Sequence, residues 1–197
     1  DGPHSMVTAD LNGDGVLDLV LDDGNTSGVS VLLGNRDGTF QLFALFDCGC
    51  AFPVDVAVAD FSGDGKNDVA ETSSSGVSIL LGDGAGNLGT PRVLTAGVAP
   101  QRIVAADLNG DRKIDLAVTN LGSNTVSIFL GLGDGTFGAA KNITVGMGPD
   151  GIAAGDFNGD GKLDLAVANS GTAEGQNKGP NANTLAILLG DGNGGVS

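Results

Sequence analysis

One nine-residue pattern recurs four times and leaves little freedom in what this chain can become. It runs Asp10-Leu11-Asn12-Gly13-Asp14-Gly15-Val16-Leu17-Asp18 at first meeting. It returns from Asp60 to Asp68 with Ser62 third, from Asp107 to Asp115 with Asn109 third, and from Asp156 to Asp164 with Asn158 third. Oxygen-bearing side chains stand at positions 1, 3, 5 and 9 of each copy, with glycines between them. Alternate oxygens on a backbone that can curl are what a hard cation requires. Ca²⁺ takes six to eight oxygen ligands at about 2.3–2.6 Å, commonly with a backbone carbonyl at position 7. Turn chemistry alone favours Asp, Asn and Gly. It does not call for three carboxylates in nine residues, four times over, where they repel one another without a cation.

The copies begin at 10, 60, 107 and 156, so they are 50, 47 and 49 residues apart. A period near 50 belongs to propeller blades rather than to helical repeats. Each repeat shows the same succession. An apolar run enters the loop (Met6–Ala9, Val56–Ala59, Ile103–Ala106, Ile152–Gly155) and a second leaves it (Leu19–Leu21, Val69–Ala70, Leu116–Val118, Leu165–Val167). After a polar turn comes the best-repeated segment: Val29–Gly34, Val77–Gly82, Val126–Gly131 and Leu185–Gly190. A Gly/Asp/Asn turn then opens a fourth run, such as Thr39–Phe43 or Thr136 through Val145. Short β-branched runs bounded by turn residues read as strands. The expectation is an all-β chain, a β-propeller of four-stranded antiparallel blades with four blades in this chain, at roughly 1–48, 49–97, 98–147 and 148–197.

The formal charge is −15, but twelve of the 24 acidic residues are loop aspartates, and four bound Ca²⁺ would bring the total to about −7. No basic stripe offers itself to phosphates, so nucleic acid is not an expected partner. No apolar run approaches the roughly 20 residues of a membrane span. No leader is visible either, so the sequence reads as a mature or excised segment. Loops of this type fill at the calcium levels found outside cells, which points to an extracellular, secreted, cell-surface or periplasmic setting.

An EF-hand is the rival metal reading. Only the second copy has a Glu (Glu71) at position 12, and the others have Leu21, Val118 and Val167 inside strand patterns. The EF-hand is rejected. Cys48-Gly49-Cys50 holds the only cysteines. They are read as small loop residues, bridged to each other or to another chain, because a metal or redox centre would need further ligands that the local sequence lacks. His4 is the one histidine, and neither a nucleophile elbow nor a Cys/His/Asp set is present, so no catalytic residue is assigned and an enzyme is not expected. Asn25-Thr26-Ser27 and Asn142-Ile143-Thr144 fit the glycosylation acceptor pattern.

The loops, Phe137-Gly138 and the Gly-x-x-Pro from Gly146 to Pro149 together resemble the FG-GAP repeat, as do Leu88-Gly89 and Gly97-Val98-Ala99-Pro100 one copy earlier. FG-GAP repeats, and the similar VCBS repeats of secreted bacterial proteins, build the β-propeller of integrin α subunits. The resemblance implies about four Ca²⁺, one per blade. Its ligands would be Asp10, Asn12, Asp14 and Asp18; Asp60, Ser62, Asp64 and Asp68; Asp107, Asn109, Asp111 and Asp115; and Asp156, Asn158, Asp160 and Asp164. Val16, Lys66, Lys113 and Lys162 would each add a backbone carbonyl.

The implied role is extracellular adhesion or scaffolding through a protein partner. The alternatives are a lectin-like, glycan-binding propeller and a repeat protein that self-associates through open sheet edges. With no Trp or Tyr in the chain, a sugar platform is poorly supplied. Phe40, Phe61, Phe137 and Phe157 fall at repeated positions and are expected in the core. Phe43, Phe46 and Phe52 surround the Cys48–Cys50 segment and are the candidate partner contacts. Arg112 stands where the other loops have Gly15, Gly65 and Gly161, so the third site is expected to be the weakest or most distorted. The family's propellers usually carry more blades than four.

Overall fold

In the computed structural model, residues 2–24, 27–171 and 183–196 are described. Every regular element among them is a strand, paired antiparallel. The first sheet holds β1 (Met6–Ala9), β2 (Asp18–Asp23), β3 (Gly28–Leu32) and, after the small hairpin β4 (Gly34–Asn35) and β5 (Thr39–Phe40), β6 (Ala44–Asp47). The second holds β7 (Pro53–Ala59), β8 (Asp68–Ser73), β9 (Gly76–Leu80) and β10 (Arg92–Leu94). β11 (Pro100–Ala106), β12 (Asp115–Asn120), β13 (Thr125–Phe129) and β14 (Lys141–Thr144) make the third. β15 (Pro149–Gly155), β16 (Asp164–Asn169) and β17 (Thr184–Leu188) make the last, which is three-stranded among the described residues. Each sheet is a meander whose first two strands are joined by one Asp-rich loop. The fold is all-β and propeller-like.

Two details differ from the sequence expectation. The fourth run of the first repeat does not pair from Thr39 onward. Thr39 and Phe40 fold back on Gly34–Asn35, and the outer strand starts only at Ala44. In the third repeat Phe137 likewise bridges Gly131, and the outer strand waits until Lys141. The Gly/Asp turn uses up these residues in its own closure. The polar segment 172–182 and the acceptor pattern at Asn25–Thr26 lie outside the described residues.

The chain forms two compact units, 1–95 and 96–197, with two sheets in each. In the first unit Leu11, Val20, Val29 and Val31 of sheet one meet Val58, Val69 and Leu80 of sheet two, and Cys48 and Cys50 join the same core. In the second unit Leu108, Ala117, Val126 and Ile128 of sheet three meet Leu165, Val167 and Leu188 of sheet four. The same repeat positions are used both times. In each unit the loop's second residue and alternate residues of the leading sheet's third strand face forward, onto the opposite strand face of the sheet that follows. Burying one such side chain stabilises by about 1.5–3 kcal/mol.

The forward face of sheet four shows what happens without a follower among the described residues. Phe157, Leu185 and Ile187 are 52%, 67% and 42% exposed, whereas their counterparts Leu108, Val126 and Ile128 are buried at 4%, 0% and 1%.

Candidate metal centre

Each Asp-rich loop is held by its own side chains. The position-1 carboxylate straps the turn. Asp10 Oδ1 accepts from the amides of Gly13 and Asp14 at 2.8 and 3.2 Å, and Oδ2 accepts from Gly15 at 2.8 Å. Asp60, Asp107 and Asp156 repeat these three bonds. The position-5 carboxylate accepts from the position-7 amide, as Asp14 does from Val16 at 2.8 Å, and so on through Lys66, Lys113 and Lys162. Asn12, Asn109 and Asn158 accept from the position-5 amide. Ser62 instead donates its hydroxyl to Asp60 at 3.3 Å.

Arg112 carries the expected left-handed backbone, φ +68°, yet its amide still donates to Asp107 at 2.8 Å. The third loop therefore keeps the backbone amide bonds of the first and fourth loops, with no distortion of that strapping. The strain is confined to the Arg112 backbone, which a side chain disfavours by about 1 kcal/mol.

The position-9 aspartates have a second task that sequence spacing did not reveal. Asp18, Asp68, Asp115 and Asp164 are fully buried. One oxygen of each accepts from the amide of the loop's second residue at 2.8–3.0 Å (Leu11, Phe61, Leu108, Phe157). The other accepts from the glycine amide closing the third strand, Gly34, Gly82, Gly131 or Gly190, at 2.8 Å. One carboxylate thus ties the loop, the second strand and the third strand together. The repeated Leu-Gly or Phe-Leu-Gly ending has its reason here. A Cβ on Gly82, Gly131 or Gly190 would stand 2.1–2.2 Å from the carbonyl oxygen of the loop's eighth residue. Burial pushes the Asp68 and Asp115 carboxyls above the usual range, the amide bonds pull them back, and neighbouring loop aspartates add repulsion.

The donor chemistry fits a hard cation: three carboxylates, an amide or hydroxyl oxygen and a carbonyl per loop, with mutual repulsion that a cation would relieve. In the structure these carboxylates are engaged with backbone amides. Lys66 and Lys113 ammonium groups also sit 3.2 and 4.0 Å from the Asp64 and Asp111 carboxylates. Each carboxylate oxygen that accepts one N–H keeps a further lone pair for a metal.

Among the described residues, the group whose Cys, His, Asp or Glu ligand atoms lie within 4.8 Å of one another is a different one: Cys48, Cys50 and Glu71. The two cysteines form a disulfide. Glu71 is buried on β8, and Cys50 Sγ stands 3.4 Å from its Oε2. Glu71 Oε1 has no hydrogen-bond partner. Burial, reinforced by Asp22 and Asp23, pushes its carboxyl up to about 8. Asp22, also buried, accepts from the amides of His4 and Ser5 at 2.8 and 2.5 Å. In the sequence Glu71 stands out only as the position-12 Glu of an EF-hand pattern that the other copies break. The one signal was a Glu at an inward position of a strand where the other copies have Leu or Val.

Of the proposed partner contacts, Phe43 and Phe52 are 62% and 75% exposed, and Phe52 takes φ +55°. Phe46 instead packs against the first core. Phe61 is buried as expected, but Phe40 and Phe157 are 40% and 52% exposed. Phe40 lies on the small hairpin, and Phe157 on the uncovered face of sheet four. Matching clefts of about 370 and 390 Å³ lie beside the loops, one between the sheets of each unit. The first is lined by Asp10, Lys66 and Asp83, the second by Asp107, Lys162 and Asp191.

Fold and loops together define a repeat protein of antiparallel sheets, each sheet opened by an Asp-rich turn. The sequence matches the FG-GAP-like repeat over residues 10–71, 60–118 and 107–167, and the FG-GAP repeat over 148–188. The chain belongs to the FG-GAP repeat family.

A comparison with curated proteins finds no match. Among solved structures, it is similar to an Agrocybe aegerita lectin described as recognising non-reducing terminal N-acetylglucosamine. The TM-score is 0.65 at 23% identity, over 96% of this chain and 49% of the lectin. It is also similar to BBS1N, solved in complex with ARL6DN, with a TM-score of 0.65 at 19% identity over 100% of this chain and 55% of that one. The V. cholerae biofilm matrix protein Bap1 gives a TM-score of 0.59 at 20% identity over 99% and 27%. The chain spans about half or less of these proteins, and the likeness is one of fold. No helix among the described residues is long and apolar enough to cross a membrane.

Proposed function

We propose that this chain is a calcium-binding adhesion or scaffold module of the extracellular space, non-catalytic, made of four propeller blades that each take one Ca²⁺. The observation that carries the reading is the recurrence of one loop, strapped by the same position-1 carboxylate, between the first two strands of all four sheets. The side chains at positions 1, 3, 5 and 9 and the position-7 carbonyl would hold the ion, whose charge offsets the three carboxylates of its loop. The protein's own part is to fix the turn: position 1 straps it, and position 9 anchors it to the third strand. Partner binding falls to the surface, where Phe43 and Phe52 offer apolar contacts beside polar loops. Calorimetric titration of chelator-treated protein with Ca²⁺ tests the reading. About four equivalents are expected, with Mg²⁺ a poor substitute. Binding of one equivalent or none would remove it.

The glycan-binding alternative has one structural support. The two clefts beside the loops repeat a Lys and two Asp in hydrogen-bonding reach of solvent, though no aromatic ring lines either. Ca²⁺-dependent binding on a glycan array, lost on changing Lys66 and Lys162, would move the assignment to a lectin.

A further inference from the structure

We propose that Cys48, Cys50 and Glu71 form a redox-gated site for a thiophilic divalent cation of the Zn²⁺ class, closed while the disulfide stands and opened by its reduction. Three observations meet there. The three ligand atoms lie within 4.8 Å of one another, which suits a sphere with Zn–S near 2.3 Å and Zn–O near 2.1 Å. Glu71 is completely buried with Oε1 unpartnered, an arrangement that costs free energy unless something else occupies that oxygen. The ligands come from two rigid places, the tight turn after β6 and the middle of β8, so they are held in register by the sheets. Cys48 and Cys50 belong to the core where sheets one and two meet, yet Gly49 and Phe52 beside them are exposed, giving the turn a solvent side.

The chemistry balances with a named reductant. A water-soluble phosphine takes up oxygen from water and becomes a phosphine oxide, and the disulfide gains two electrons and two protons to give two thiols. A divalent cation then displaces the two thiol protons and the Glu71 proton to solvent. It is held by two thiolates and a carboxylate, with a fourth position for water. This donor set is softer than that of the Asp-rich loops, so thiophilic ions and Ca²⁺ would sort between the two kinds of site.

The test uses the full chain with Ca²⁺ saturating, oxidised or phosphine-reduced, titrated with Co²⁺ and then Zn²⁺. Thiolate-to-cobalt charge-transfer absorption reports only sulfur ligation. The reduced protein is expected to develop this band at one equivalent and to lose it to Zn²⁺, while the oxidised protein shows none. Cys48→Ser should cut the band by half or more, changing both cysteines to Ser should abolish it, and Glu71→Gln should weaken Co²⁺ binding about tenfold or more. A reduced protein that keeps its circular dichroism but shows no band overturns the proposal. So does a Glu71→Gln variant that binds as tightly as the parent, and so does a reduced chain that unfolds and is not refolded by Zn²⁺.

Discussion

Glu71→Gln isolates a buried carboxyl whose protonation the fold dictates. In the oxidised protein Glu71 is sealed between sheets one and two, with Asp22 and Asp23 nearby and no donor on Oε1. Its ordinary value of 4.5 is pushed up to about 8, by burial first and then by the two aspartates. The folded form therefore keeps its proton up to pH 8, while the unfolded chain releases it near 4.5. Between these limits the unfolded state binds fewer protons, so stability falls as pH rises and levels off above about 8. The full difference corresponds to about 5 kcal/mol, a ceiling that water penetration and relaxation reduce, so about 2–5 kcal/mol is expected. Glutamine has the same shape and no proton to lose.

Urea unfolding of both proteins from pH 5 to pH 9, with Ca²⁺ saturating and the disulfide intact, gives the difference directly, since the loop aspartates titrate alike in both. The variant should gain on the parent by that amount across the range. Parallel stability curves would show that Glu71 ionises freely and that the burial argument is wrong.

Three further perturbations follow from the same contacts. Asp115→Asn removes an acceptor from one of two buried amides and should destabilise by about 2–4 kcal/mol even in chelator, seen as a lower urea midpoint; an effect confined to Ca²⁺-loaded protein would make Asp115 a ligand only. Arg112→Gly relieves a left-handed backbone without touching the Asp107 strap, and should raise stability by up to about 1 kcal/mol with Ca²⁺ stoichiometry unchanged; a lower melting temperature would contradict the strain assignment. Ile187→Asp charges the uncovered face of sheet four, so any self-association seen by sedimentation velocity should weaken without loss of melting temperature; unchanged association would place the contact elsewhere.

The fold was legible because its signals are local and repeated. Two apolar runs around an Asp-rich turn can only pair as a hairpin, and a fourfold repeat leaves the phase of the sheets beyond doubt. The loops were legible as residues but not as roles. Asp18 and its counterparts fit the ligand spacing, yet their bonds to Gly34, Gly82, Gly131 and Gly190 link residues 14–26 apart, which no nine-residue pattern contains. Leu108 and Phe157 occupy the same repeat position within the second unit, and only a following sheet decides that Leu108 is covered and Phe157 is not. Glu71 was least legible. Its meeting with Cys48 and Cys50 depends on sheet-on-sheet packing over more than 20 residues of sequence, and local composition carries no trace of it.

Thermal unfolding with Ca²⁺, with Mg²⁺ and with a chelator decides whether the Asp-rich loops are calcium sites. Each loop filled a hundredfold above its Kd adds about 2.7 kcal/mol, so four loops predict a large fall in melting temperature on chelation, restored by Ca²⁺ and not by Mg²⁺. A melting temperature indifferent to the chelator would mean that the amide bonds alone fold the Asp-rich turns, and that these loops are not calcium sites.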